Sequence, residues 1–382
     1  MATSGARFAR RALLGRSALL LGLAGSGALS GRSLRAASRE TAFVTCCQLA
    51  DGDFAAVLLD RSGESLLTER LEARGHEAVL SPDGRRAVVF ARRPGSFALV
   101  LDLAAQRRIA TFAPPAGRHF YGHGFYAADG RLLYATENDF EGERGLLGIY
   151  DAQDGYRALG AIESGAIGPH QAILLRDGRT VAVANGGIAT HPDYPRQKLN
   201  LATMSPCVAL IDLTSGAVIE RARLPRTYHR LSLRHLAEAG DGSLWVGGQY
   251  EGPGSDSLPL VARYRRNLGL EPIAAPAALY RGMNHYVGSV VASRDGSQIA
   301  TTSPRGGQVV IWDSVTARPL EVRRIADVCG AAPATTGFTL SDGEGRLWQS
   351  GETIATAFAA FDNHLTRATG VGLALTRRYQ AV

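Results

Sequence analysis

His76-Glu77-Ala78-Val79-Leu80-Ser81-Pro82-Asp83-Gly84-Arg85-Arg86-Ala87-Val88-Val89-Phe90-Ala91 is the stretch on which the fold turns. Two short apolar runs flank a Pro-Asp-Gly turn, a pattern of a β-hairpin rather than of a helix. Beyond the loop Arg92-Arg93-Pro94-Gly95, a third run spans Phe97–Asp102 and a fourth spans Arg108–Phe112. Four antiparallel strands in a unit of about 40–50 residues is the make-up of a propeller blade.

The unit repeats. His76, His123 and His170 stand 47 residues apart, and His235 follows 65 residues later. Each precedes an apolar run and then an Asp-Gly turn, at Asp83-Gly84, Asp129-Gly130, Asp177-Gly178 and Asp241-Gly242, with further Asp-Gly pairs at Asp295-Gly296 and Asp342-Gly343. An apolar-Asp pair closes the third strand at Leu59-Asp60, Leu101-Asp102, Tyr150-Asp151, Ile211-Asp212, Trp312-Asp313 and Phe361-Asp362. These signals predict an all-β chain: one seven-bladed β-propeller over residues 40–382, each blade a four-stranded antiparallel sheet. Units begin near His76, His123, His170, His235, Gly288 and Thr336, after an incomplete first unit at Ala42–Leu71. That first unit lacks an inner strand, which the stretch beyond Asn363 is expected to supply, closing the ring with strands from both ends of the chain.

Residues 1–39 read as a separate segment. They hold seven arginines and no acid, with Arg10-Arg11 before Ala12-Leu13-Leu14 and a modestly apolar stretch from Ser17 to Ser30. This resembles a twin-arginine export signal and predicts a periplasmic protein with no membrane span in its mature form. The whole chain carries a formal charge of +7, from 42 basic and 35 acidic residues, and all of the excess lies in that segment. The remainder is balanced, which speaks against nucleic-acid binding, since a phosphate backbone calls for a concentrated basic face. The chain is expected to act as a monomer. Four cysteines (Cys46, Cys47, Cys207 and Cys329) allow a bridge but do not make a disulfide framework.

Topology predicts where chemistry would sit. The inner strand of each blade and the loop joining its second and third strands meet at one rim, so His76, His123, His170 and His235 share a face with those loops. On that face stand Arg92, Arg93, Glu137, Asn138, Asp139, Asn185, His191, Arg234, Gln249 and Arg305, the candidate ligand-binding residues. The four histidines could converge on Fe, Cu or Zn, which suit nitrogen donors. They could equally be buried hydrogen-bonding residues, each within its own blade, and as neighbours on an arc of the ring they would grip an ion from one side. The longer interval before His235 places an insertion between the second and third strands of the blade that begins at His170, from Asn185-Gly186-Gly187-Ile188 to Met204-Ser205-Pro206. It carries His191 and the chain's only lysine, Lys198, and could pack as a lid through Tyr194, Leu199, Leu201 and Met204. No nucleophile elbow, phosphate loop or His-Glu-x-x-His helix occurs, so nothing specifies a catalysed reaction.

A set of motifs carries a resemblance to a known family. They include Phe90-Ala91-Arg92-Arg93-Pro94-Gly95, Tyr121-Gly122-His123-Gly124, Thr136-Glu137-Asn138-Asp139, Gly168-Pro169-His170 and Lys198-Leu199-Asn200-Leu201. Leu233-Arg234-His235-Leu236, Gly248-Gln249-Tyr250-Glu251-Gly252, Ser303-Pro304-Arg305-Gly306-Gly307 and Asp362-Asn363-His364 complete it. Together they resemble the proteins grouped as domain of unknown function 1513, across nearly the whole chain after residue 39. The resemblance implies a twin-arginine-exported propeller similar to YVTN/WD40-like repeats and to the quinoprotein amine dehydrogenase β-chain. It also implies a place beside imelysin-type periplasmic iron-uptake proteins as partners, and thus a metal- or ligand-binding role. The alternatives are a protein-interaction scaffold and a metal-dependent oxidoreductase or lyase. Pro195 and Cys207 depart from the family pattern, where Gly and Ser are expected.

Overall fold

The computed structural model describes residues 40–194 and 197–368; the segment read as an export signal and the Pro195 departure lie outside them. Seven separate sheets of four antiparallel strands follow one another around a ring. Blade 2 sets the pattern, with strands Gly75–Leu80, Arg86–Ala91, Ala98–Asp102 and Arg107–Phe112 running from the inside out. Blades 3 to 5 start with Arg118–Tyr126, Pro169–Leu174 and Leu231–Glu238, so all four repeating histidines lie on innermost strands. Blade 6 starts at Ser289–Ala292.

Burial explains why the strands read as they do. The second strand of blade 2 is buried on both faces from Ala87 to Ala91, because each blade packs against a neighbour on either side. Such strands need continuous rather than alternating apolar residues, and a fully buried side chain such as Phe90 contributes about 2–3 kcal/mol. The outermost strand, Arg107–Phe112, is mostly exposed and correspondingly charged. The Asp-Gly turns work as the sequence suggests. Asp83 Oδ1 accepts the Arg85 amide at 3.0 Å while Gly84 takes a positive φ of 68°, and Asp177 with Gly178 does the same.

Ring closure is by a strand from the far end of the chain. Ala360–Arg367 pairs with Phe43–Gln48 and forms the innermost strand of blade 1. Phe361-Asp362 therefore lies in this closing strand and does not end the third strand of blade 7, as its apolar-Asp pattern suggested. Blade 7 also starts earlier than its sequence signal, at Val328–Pro333 rather than near Thr336. Its inner strand, Val328-Cys329-Gly330-Ala331-Ala332-Pro333, is made of small residues with no histidine to mark it. A short helix, Ala277–Gly282, lies between blades 5 and 6. No helix among the described residues is long and apolar enough to cross a membrane. All four cysteines are buried and unbridged.

Candidate metal centre

A β-ladder forbids what these histidines do, unless it is broken. Side chains alternate across a strand, so neighbours such as Arg234 and His235 should face opposite sides. The inner strands slip register where the histidines stand. In blade 2 the slip lies between Gly75 and Ala78, around His76 and Glu77. In blade 3 it lies between Phe120 and Gly124, around Tyr121, Gly122 and His123. Blade 4 slips at His170 and blade 5 between Leu233 and His235. The closing strand slips opposite Cys46, where Asp362, Asn363 and His364 crowd against one residue of the partner strand. Bulges of this kind re-aim side chains, and they gather at functional sites. Thr136 on the second strand of blade 3 offers its hydroxyl to the freed carbonyls of His123 (3.1 Å) and His170 (3.3 Å). Thr45 Oγ1 donates to the His364 carbonyl at 2.6 Å.

The bulges bring five imidazoles together: His76, His123, His170 and His235 of the repeat, and His364 from the closing strand. Their ring centroids form a closed circuit, His76–His123 4.7 Å, His123–His170 4.8 Å, His170–His235 4.8 Å, His235–His364 5.0 Å and His364–His76 4.7 Å. His123 is drawn toward the middle, 5.6 Å from His235 and 4.9 Å from His364. Nitrogens of His76, His123 and His364 lie within 4.8 Å of one another, as do those of His123, His170 and His235. With metal–nitrogen bonds of about 2.1 Å, three nitrogens sharing one ion stand about 3.4–3.6 Å apart, so each ring of a trio would draw in by up to about 0.8 Å to take a common ion.

Two carboxylates set the chemistry of the rings. Glu77 Oε2 accepts from His123 Nδ1 at 2.8 Å, and its other oxygen accepts from Gln171 Nε2 at 2.9 Å. Gln171 in turn accepts the Leu236 amide at 2.8 Å, so this carboxylate ties blades 2 to 5 together. Asp362 Oδ1 accepts from His76 Nδ1 at 3.0 Å, while its other oxygen pairs with Arg74. A proton held on Nδ1 leaves the Nε2 lone pair bare, the arrangement that orients and strengthens a metal-ligating histidine. His123 Nε2, His170 Nδ1, both nitrogens of His235 and His364 Nε2 are buried and meet no hydrogen-bond partner among the described residues. Buried nitrogens without partners are uncommon and each asks for a reason.

The electrostatics hold four of the rings, His76, His170, His235 and His364, neutral. Burial, reinforced by neighbouring imidazoles, pushes His76, His170 and His235 well below the usual histidine range; for His76 the Asp362 hydrogen bond opposes this. Burial and His123 lower His364 to about 4. Asp362 stays ionised despite its burial, because His76, Arg74 and Arg92 hold it far below the usual carboxylate range. The repeating histidines are thus not each bonded within their own blade: His76 reaches the closing strand and His123 reaches blade 2.

The other sequence-derived candidates divide. Arg92, Arg93 and Arg234 stand around the cluster: Arg92 lies 3.9 Å from Asp362, Arg93 lies over the Tyr121 ring at 5.7 Å, and Arg234 adjoins His235. Gln249 is buried in blade 5, where its backbone bridges to Tyr286. Glu137 is fully buried against Tyr150 and Arg118, in the packing of blade 3. Asn185 is bonded to Ser164, Asp139 to Arg144, and exposed Arg305 stacks on Tyr286 at 4.9 Å. Asn138 holds the Thr190 carbonyl at 3.0 Å, anchoring the insertion. His191 stands apart, edge-on to Phe140 at 5.1 Å and beside Glu141, on a cleft of about 160 Å³ that none of the five clustered histidines lines. Within the insertion Met204 is buried, but Tyr194 (52 % exposed) and Leu199 (50 %) are not, so the lid packing expected of these two does not form. His364, Glu77 and Asp362 were not among the sequence candidates. The signal for Asp362 and His364 is the Asp362-Asn363-His364 motif, which falls into register with the other histidines once the closing strand is counted as the first strand of blade 1, and Glu77 stands beside His76 in the sequence.

Fold and site together define a class: a seven-bladed propeller whose inner-strand bulges carry a buried imidazole cluster. The chain belongs to the family described as "Protein of unknown function (DUF1513)", whose model matches residues 69–368. No curated protein matches the sequence. Among solved structures it is similar to Kuenenia stuttgartiensis hydrazine synthase, with a TM-score of 0.56 and 15 % identity over 83 % of this chain and 96 % of that one. At that identity the likeness is one of fold alone.

Proposed function

We propose that this protein binds one divalent transition-metal ion (Cu, Zn or Fe) at the cluster of His76, His123, His170, His235 and His364. The observation that carries this reading is the set of buried imidazole nitrogens with no partner among the described residues, beside carboxylates that fix the other nitrogens of His76 and His123. An all-nitrogen donor set suits these metals and not Ca or Mg. The ratio of one ion follows from His123. Its Nδ1 is engaged by Glu77, so a single lone pair remains, and the two trios that share it are alternatives rather than two sites. Export through the twin-arginine route to the periplasm, and a place beside imelysin-type iron-uptake partners, are part of the same reading and rest on the family resemblance. In that setting the protein holds or hands on a metal rather than catalysing a reaction.

The test is titration of the metal-free protein with Cu(II), Zn(II) and Fe(II), alongside His123→Ala and His170→Ala variants. Stoichiometric binding of one ion, lost in the double variant, is the expected result. Absent binding, or binding that survives the loss of both histidines, would sink the proposal and return the cluster to a purely structural role.

A further inference from the structure

We propose that Arg92, Arg93 and Arg234 form an oxyanion subsite beside the imidazole cluster, which takes a small carboxylate or phosphate. That this anion completes the coordination of the bound ion rests on the metal reading above; the subsite itself rests on the arginines.

The bulge in blade 5 inserts Arg234 between Leu233 and His235, setting its side chain next to the cluster. Its Nε is buried and has no hydrogen-bond partner among the described residues. One of its terminal nitrogens donates to Glu251 Oε1 at 3.4 Å, while Lys198 of the insertion bonds the other oxygen of that carboxylate. Arg93 rests over Tyr121, two residues before His123, with its guanidinium 5.7 Å from the ring centroid. Arg92 comes no nearer to Asp362 than 3.9 Å, and the oxygen it approaches is held by Arg74. A guanidinium carries five donors in a rigid fork, and most of those on these three side chains are uncommitted to carboxylates.

Charge points the same way. Around the cluster, Arg74, Arg92, Arg93, Lys198 and Arg234 outnumber the carboxylates Glu77, Glu251 and Asp362. Burial first, and then Arg93 and Arg92, push Arg234 down to about 10. A cation bound by neutral imidazoles would add to this excess. Buried positive charge needs a counter-charge, and the guanidinium fork matches the oxygens of a carboxylate or phosphate.

The experiment is calorimetric titration of the full mature chain in low chloride, metal-free and zinc-loaded, with acetate, citrate and inorganic phosphate as separate probes. Wild type is compared with Arg93→Gln and Arg234→Lys, with circular dichroism to verify folding. We expect at least one oxyanion to bind the metal-free protein, to bind more tightly once zinc is present, and to weaken about tenfold in either variant, the loss of a charged bidentate contact. The probe that binds best identifies the ligand as carboxylate or phosphate. No oxyanion binding in either form of the wild type, or affinities unmoved by both substitutions, would overturn the subsite. Should Arg234→Lys fail to fold, the loop variant Arg93→Gln decides alone. Oxyanion binding that needs Arg93 in a protein that takes up no zinc would support the subsite while removing the metal reading.

Discussion

Glu77 holds the most consequential bond at the scale of single residues. It fixes the tautomer of His123, the ring nearest the middle of the cluster. Glu77→Gln keeps the shape and removes the charge, so metal affinity should fall 10–100-fold, as for other outer-shell partners, with the fold retained; competition against a chelator of known affinity would measure it. The neutral imidazoles predict a pH dependence with a definite sign. In the unfolded chain a histidine titrates near about 6.5, whereas in the fold His76, His170 and His235 lie well below that and His364 titrates at about 4. Between these values the unfolded state binds protons that the folded state refuses. Stability of the chelated protein should therefore be fully present above about pH 6.5 and fall as pH drops toward about 4, by up to about 1.4 kcal/mol per pH unit for each such histidine. The facing groups are Glu77 and Asp362, whose own protonation is held to lower pH, the guanidinium groups of Arg74 and Arg92, and Arg234, which at about 10 stays charged throughout this window. A thermal transition temperature that stays flat from pH 7 to 4.5 would contradict this account.

At the scale of elements, the bulge is the unit of construction. Gly122 illustrates its demands: its φ is +102°, and a Cβ there would stand 2.7 Å from the His76 ring. Gly122→Ala should destabilise the protein by more than about 1 kcal/mol through backbone strain alone, and should also displace His76; denaturant midpoints and metal titration of the same variant would separate the two effects. Much of the element level was legible in sequence. The hairpin at Pro82-Asp83-Gly84 and the four strands of blade 2 fall within a few residues of their sequence reading, because an Asp-Gly turn and a doubly buried strand each leave a local signature. The bulges left none, since a register slip depends on the partner strand and not on the residues that slip. The sequence could therefore place His76, His123, His170 and His235 on one rim, yet could not tell converging rings from four separate ones.

At the scale of the whole molecule, the ring was legible and its seam was less so. The histidine register and the Asp-Gly turns imply seven blades closed by both ends of the chain, as observed. The assignment erred at Phe361-Asp362, where a local pattern that ends strands elsewhere is overridden by pairing with Phe43–Gln48, more than three hundred residues away. That seam has a consequence in time. His364 and Asp362 arrive on the last of the described strands to be made, so a nascent or partly assembled ring has an open first blade and an unfinished cluster together. An ion held by the trio of His364, His76 and His123 would act as a clasp across the seam between blade 1 and blades 2 and 3, favouring the closed ring by mass action. A chain ending at Ala359 should neither bind metal stoichiometrically nor gain thermal stability from it, while the full chain should do both. Loading of the site would then report that the chain is whole.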